Sequence, residues 1–292
     1  MPWLQAHVTT DKQQVEAVEQ QLEALGALSI TLLDAGDQPM LEPPPGATPL
    51  WKQTEVTALF DTQWNTDELQ LALNQSLHSV AYSSLRLQWL EDQAWERAWL
   101  EHFKPMRFGR HLWICPTGHQ VEANDATVVR LDPGLAFGTG THPTTRLCLE
   151  WLDGADLNGK TVIDFGCGSG ILAVAALKLG AHKVIAIDHD PQALLATEEN
   201  ARRNQVQQRL VVVGNEQFRP VRADVVLANI LANVLEDLAD TIKPLVAPGG
   251  MLVLSGILER QCAEVREAYA DSIQFEQPRF EEQWTLLTGQ AS

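Results

Sequence analysis

Long apolar runs are missing from this 292-residue chain: no window approaches the roughly 18 consecutive apolar residues that a membrane-spanning helix requires. The opening Met1-Pro-Trp-Leu-Gln-Ala-His7 also lacks the basic and apolar regions of a secretory signal. Cysteine is scarce. The four present, at positions 115, 148, 167 and 262, form neither a CxxC pair nor a Cys/His cluster, which excludes a disulfide framework and a structural metal site. Reduced thiols, no metal and a cytoplasmic location are the expectation. Positive charge is in short supply too, with 21 Lys and Arg against 38 Asp and Glu and a formal net charge of −17. A protein that grips nucleic acid presents a basic face to the phosphates, so direct nucleic-acid binding is disfavoured. The acid is concentrated early: residues 1–91 hold three Lys or Arg and twelve Asp or Glu, a net of −9. Such a surface serves solubility or steers a basic protein partner.

What the chain does contain is a regular succession of hydrophobic periods. Leu4, Ala6 and Val8 alternate as in a half-buried strand, and Val15, Val18, Leu22 and Leu25 then recur at helical spacing up to Gly26. Ala27–Leu33 reads as a second strand, and the proline-rich stretch 39–49 as an exposed loop. The same order then repeats. Glu55–Phe60 is a strand, a helix opens at Thr66-Asp-Glu and runs to Leu77, and Leu85, Leu87 and Trp89 alternate in a fourth strand. Two βαβ halves predict a small ferredoxin-like α+β domain over residues 1–91. That fold carries no function by itself.

Residues 92–106 read as a linker helix in which Trp95, Trp99 and Phe103, spaced by four, share one face. Such a stripe serves either as packing surface or as a recognition surface. Two short strands, His111–Cys115 and Ala126–Leu131, lead into Asp132-Pro-Gly-Leu-Ala-Phe-Gly-Thr-Gly-Thr-His-Pro-Thr-Thr145, unusually dense in glycine and hydroxyl groups. Its hydroxyls and backbone N–H groups suit a polar ligand, with Thr144 or Thr145 at a helix start where N–H groups are free. His142 is a candidate general base there, set against a purely local hydrogen-bonding role.

From residue 151 onward strands and helices alternate, as a doubly wound, mainly parallel sheet demands. Strands fall at Thr161–Asp164, His182–Asp188, Arg209–Val213, Ala223–Asn229 and Met251–Ser255, with two more from about Ile273 to Gln283 and Trp284 to Thr288. Helices are read at 171–179, 191–204, 234–245 and 259–270, with a turn at Pro248-Gly-Gly. The expected architecture is α/β, with a seven-stranded sheet within residues 107–292.

The chemistry is written at the carboxyl ends of those strands. Val162-Ile-Asp-Phe-Gly-Cys-Gly-Ser-Gly-Ile171 passes from an apolar strand through glycines 166, 168 and 170 into an apolar helix, so that a ligand can lie against bare backbone. Asp188 ends the next strand about 20 residues on, where a carboxylate can accept both hydroxyls of a ribose. Gly214-Asn215 and Asn229 end the following two. The dinucleotide fingerprint G-x-G-x-x-G is not met, because Ile171 stands where its third glycine would be. A nicotinamide dehydrogenase is therefore the weaker match.

Asp164, the run Asp-Phe-Gly-Cys-Gly-Ser-Gly170 and Asp188 together resemble the class I S-adenosylmethionine-dependent methyltransferases. Asn229-Ile-Leu-Ala232 lacks the Pro-Pro-aromatic of relatives that stack a flipped base, which argues against a nucleobase substrate. With this tetrapeptide, the 131–145 segment and the Trp95/Trp99/Phe103 helix ending at Lys104-Pro105, nearly the whole chain resembles the PrmA family, which methylates large-subunit ribosomal protein eleven. The resemblance implies repeated methylation of lysine side chains and of the amino terminus of that basic protein. It also implies a substrate-recognising first domain. A monomer is expected, and the charge and the lack of long apolar runs leave no expected contact with nucleic acid or membrane. The resemblance places S-adenosylmethionine, leaving as S-adenosylhomocysteine, on Thr145, Gly166, Asp188 and Asn229. Asn229 is also the expected catalytic residue, because its side-chain carbonyl can accept the amine hydrogens and orient the lone pair. Two alternatives stay open: a methyltransferase of another protein or RNA amine or amide, and an inactive cofactor-binding module.

Overall fold

The computed structural model describes residues 3–36, 50–61, 63–90, 104–132 and 140–292, which form two compact units, 1–98 and 99–292. The 39–49 loop, the aromatic helix through Phe103 and residues 133–139 of the glycine- and hydroxyl-rich segment lie outside the described residues.

The first unit runs β1 (Trp3–Asp11), α1 (Val15–Ala24), β2 (Ser29–Asp34), β3 (Gln53–Phe60), α2 (Thr66–Ser76) and β4 (Ser84–Leu90). Its strands are antiparallel in the order β2-β3-β1-β4, the ferredoxin-like arrangement. Alternation decides the faces: Leu4, Ala6 and Val8 of β1 and Val56, Ala58 and Phe60 of β3 are fully buried together with Val15, Val18, Leu22, Leu69 and Leu73 of the helices. Helix α2 begins at Asn65, whose side chain accepts the Glu68 N–H at 2.8 Å.

The second unit opens with a small sheet of β5 (Met106–Phe108), β6 (Leu112–Cys115) and β7 (Thr127–Arg130). Asp153 of α3 (Pro143–Gly154) ties it down, its carboxylate accepting the backbone N–H groups of Arg110 at 2.5 Å, His111 at 3.1 Å and Leu112 at 2.8 Å. Removing that acceptor takes the partner from three donors at once, of which the Leu112 N–H is the part-buried one. We expect Asp153→Ala to cost about 2–3 kcal/mol in urea unfolding and Asp153→Asn to cost less, since its amide oxygen still accepts.

The main sheet follows: β8 (Thr161–Phe165), α4 (Ile171–Lys178), β9 (Lys183–Asp188), α5 (Pro191–Arg203), β10 (Leu210–Gly214), β11 (Ala223–Asn229), α6 (Ala232–Asp237), α7 (Ala239–Ile242), β12 (Val246–Leu258), α8 (Cys262–Tyr269), β13 (Ile273–Phe275), β14 (Arg279–Glu281) and β15 (Trp284–Ala291). The strand path is β10-β9-β8-β11-β12-β15-β13, with β14 also paired to β15. β8 to β12 are parallel and β15 is antiparallel to β12. Helix α4 is apolar all round because it is covered on every side, packing on β8, β9 and β7, with Ile171 to Leu177 all buried.

Three elements differ from their sequence expectation. The strand expected over 273–283 is two, broken before Arg279 by Pro278, which has no N–H to extend the ladder. The 234–245 helix starts at Ala232 and divides into α6, α7 and a 3₁₀ turn over Lys243–Leu245, where Pro244 sits. The Pro248-Gly-Gly turn is a bulge inside β12: two steps along β11, Ala223 to Val225, face the stretch from Val246 to Met251.

Candidate functional site

From β8 the sheet is laid outward through β9 to β10, and the chain then returns to set β11 on the other side of β8. Strand order reverses between β8 and β11, the position where doubly wound sheets hold ligands at their carboxyl ends. Gly166 directly follows β8 and Asn229 ends β11, so both stand at this switch point. Asp188 ends β9, the neighbour of β8, and Gly214 ends β10, one strand further out.

The glycine loop is held from within the sheet. Gly166 N and Cys167 N both donate to Ile187 O, at 2.8 and 3.0 Å, and Gly170 N donates to Cys167 O at 2.7 Å. Gly166, Gly168 and Gly170 have φ of 77°, 53° and 75°, a region that penalises any side chain. Space adds a second reason. A Cβ at 166 would run into Cγ2 of Ile230, and one at 170 would meet Thr197 Oγ1 at 2.7 Å.

Asp188 is 7% exposed, and both carboxylate oxygens are oriented by backbone: Oδ2 accepts Gly168 N at 2.9 Å and Oδ1 accepts Asp190 N at 3.0 Å. His189 Nδ1 lies 3.3 Å from Oδ1. These donors account for the burial of Asp188 without a ligand, and an ionised carboxylate keeps further lone pairs for a diol.

Thr144 and Thr145 are both buried at the start of α3, and the structure separates them. Thr144 belongs to the helix cap: its N–H donates to His142 Nδ1 at 3.3 Å and its hydroxyl lies 2.8 Å from the same nitrogen. Thr145 Oγ1 instead accepts from Asn229 Nδ2 at 3.3 Å. That contact joins α3 to the end of β11. It commits the Asn229 amide nitrogen and leaves its Oδ1 as an acceptor. His142 is the N-cap residue of α3, with its ring edge-on to Trp284 at 4.8 Å between centroids. Burial lowers its pKa, against an opposing pull from Glu282, and the neutral ring this favours is the form that can accept a cap hydrogen bond.

Two features of the site carried no assigned role in the sequence pattern. Ile230 is pinned between Gly166 and Gly256, where a Cβ would meet the Ile230 carbonyl carbon at 2.7 Å and nitrogen at 3.1 Å. Asp164, 1% exposed, accepts Ala173 N through Oδ2 at 3.0 Å, while Oδ1 is buried with no hydrogen-bond partner. Burial pushes its pKa up to about 7, opposed by the Ala173 N–H and aided by the charge of Asp188. The folded state therefore holds a proton that the unfolded chain releases near pH 4, so stability from this group is full below that value and is lost as pH rises towards 7. We expect the ligand-free protein to lose up to about 4 kcal/mol across that window through Asp164, and Asp164→Asn to flatten this part of the unfolding profile.

A doubly wound sheet with this strand order, a glycine loop after β8, an acid ending β9 and an Asn ending β11 defines a class I S-adenosylmethionine-dependent methyltransferase. The cofactor's groups fit the residues present: Asp164 Oδ1 is an orphaned buried acceptor suited to an ammonium group, and Asp188 is a pre-oriented acceptor for ribose hydroxyls. The family model for ribosomal protein L11 methyltransferase (PrmA) matches residues 2–292, and the chain belongs to that family. Ribosomal protein L11 methyltransferases of Methylococcus capsulatus and Nitrosococcus oceani are 52% and 50% identical to it, over 98% and 99% of both chains. The crystal structure of a ribosomal protein L11 methylase from Lactobacillus delbrueckii subsp. bulgaricus superposes with a TM-score of 0.60 at 34% identity, covering 65% of this chain and 99% of that one.

Proposed function

We propose that this methyltransferase modifies amino groups of ribosomal protein L11, lysine side chains and the α-amine of the amino terminus, with the cofactor seated on Thr145, Gly166, Asp188 and Asn229. Family membership supports the substrate, and the Asn229–Thr145 contact at the switch point carries the chemical reading. The bound cofactor supplies an electrophilic methyl group on a sulfonium. The chain's own residues have to position a neutral amine in line with it. A lysine in water has a pKa of about 10.4, and both desolvation and a neighbouring positive charge lower it, so no strong protein base is required. Asn229 Oδ1 accepts an amine hydrogen and thereby points the nitrogen lone pair. Thr145 keeps that amide from rotating. His142, engaged as a helix cap, is not needed as a base.

In this reading residues 1–91 recognise the basic substrate, residues 92–106 connect the units, and the protein works as a cytoplasmic monomer without touching RNA. Its acidic first third is suited to such a partner. No helix among the described residues is long and apolar enough to cross a membrane. The test is mass spectrometry of purified L11 and of total ribosomal RNA after incubation with enzyme and labelled cofactor. Mass increments of one or more methyl groups on L11 amines are expected. Label in RNA with unmodified L11 would sink the assignment.

A further inference from the structure

Helix α5 carries polar residues where an amphipathic helix normally carries apolar ones. Its buried face is Ala193, Thr197, Asn200 and Ala201, continued by the capping residue Asn204, and the three polar members are 0%, 8% and 6% exposed. Buried hydroxyl and amide groups are costly unless each finds a partner, and here they do. Thr197 Oγ1 donates to Gly168 O at 3.0 Å and lies 3.3 Å from Cys167 Sγ, while Asn200 Nδ2 donates to Ser169 O at 2.9 Å. Successive carbonyls of the glycine loop are thus turned towards α5 and held there. The loop also lies directly on this helix, since a Cβ at Gly170 would come within 3.0 Å of the Thr197 Cα.

The consequence reaches the ribose acid. Gly168 is gripped from both sides: its C=O by Thr197 and its N–H by Asp188 Oδ2. Asp188 is oriented at its other oxygen by Asp190 N, and Asp190 is itself the N-cap of α5, accepting Gln192 N at 2.9 Å. A closed circuit results, running from Asp188 through Gly168 and Thr197 along α5 and back through Asp190. We propose that Thr197 and Asn200 are positioning residues for the cofactor, fixing the glycine loop and through it the Asp188 carboxylate. They touch neither substrate amine nor methyl group, so they govern cofactor affinity and leave the transfer step alone. This rests on the cofactor site and is independent of which amine is methylated.

Asn204 supplies the control. It is equally buried at the same helix, but its side chain serves Arg130, accepting its N–H at 2.7 Å and donating to its carbonyl at 2.7 Å, and its other bond runs to the Asn200 backbone carbonyl at 2.8 Å rather than to the loop. Isothermal titration with S-adenosylhomocysteine should show Thr197→Val, which keeps shape and removes the hydroxyl, and Asn200→Ala each raising Kd about tenfold. Thr197→Ser should restore wild-type affinity. Asn204→Ala should lower thermal stability while leaving Kd within twofold. At saturating cofactor, kcat of the Thr197 and Asn200 variants should stay within about twofold of wild type, so that the loss appears in the cofactor KM alone. Unchanged affinity in Thr197→Val, or an equal loss in Asn204→Ala, would overturn the proposal. Failed methylation of L11 with tight, Thr197-dependent cofactor binding would count against the substrate assignment only.

Discussion

Asn229→Ala is expected to fold as wild type, to bind cofactor within roughly tenfold of wild-type affinity, and to lose about 100-fold or more in kcat. The asymmetry follows from where the side chain sits. Asn229 is half-buried at the end of β11, its backbone held in register with Ser255 of β12, so truncation removes no core contact. What disappears is an oriented carbonyl beside the reversal of strand order, together with the bond to Thr145 that orients it. An amine that must present its lone pair along one line loses the acceptor that sets the line. Asn229→Asp keeps an acceptor oxygen and lets the Thr145 hydroxyl become the donor, so it should recover part of the rate. The measurement is single-turnover methyl transfer with saturating cofactor, alongside thermal unfolding to exclude collapse. Undiminished turnover in Asn229→Ala would remove Asn229 from the mechanism.

The residues that could be read from sequence share one property: they end strands. A buried parallel strand is a short apolar run, and the first residue that breaks it, Gly166, Asp188 or Asn229, stands at the carboxyl edge where ligands bind. The same logic made the main sheet legible. It failed for β5, since Met106-Arg-Phe108 is too short to display a period, and for the 273–283 strand, where Pro278 interrupts a ladder that composition alone suggested. Thr145 could not be told from Thr144 by local pattern, because both are helix-start hydroxyls; the resemblance singled out Thr145, and the approach of Asn229 distinguishes it physically. Thr197, Asn200 and Gly256 were invisible for a related reason. Their partners, Gly168, Ser169 and Ile230, lie 29, 31 and 26 residues away, and nothing local marks a polar helix position or a strand glycine as packed against a site.

Gly256 is where that invisibility matters most, and Gly256→Ala is expected to lower kcat by ten- to a hundredfold while costing about 2–4 kcal/mol of stability. Its φ of 84° already disfavours alanine, and the added methyl would point at the backbone of Ile230, whose carbonyl carbon would lie 2.7 Å away. A side chain can swing aside, but a peptide group at the end of β11 moves only by taking Asn229 with it. Gly166 meets the same residue differently. There the obstruction is the Ile230 side chain, chiefly Cγ2, and trimming that side chain makes room. The two glycines therefore differ in a double-mutant test. Ile230→Ala should rescue much of the activity lost in Gly166→Ala, leaving the strain of positive φ, and should rescue almost none lost in Gly256→Ala. Cofactor affinity, which the proposed seat assigns to Asp188 and the glycine loop, should fall less in Gly256→Ala than kcat does. Equal rescue of both variants would mean that Ile230 only fills space. Selective rescue would mean that the Ile230 backbone, packed against Gly256, sets the height at which Asn229 meets the amine.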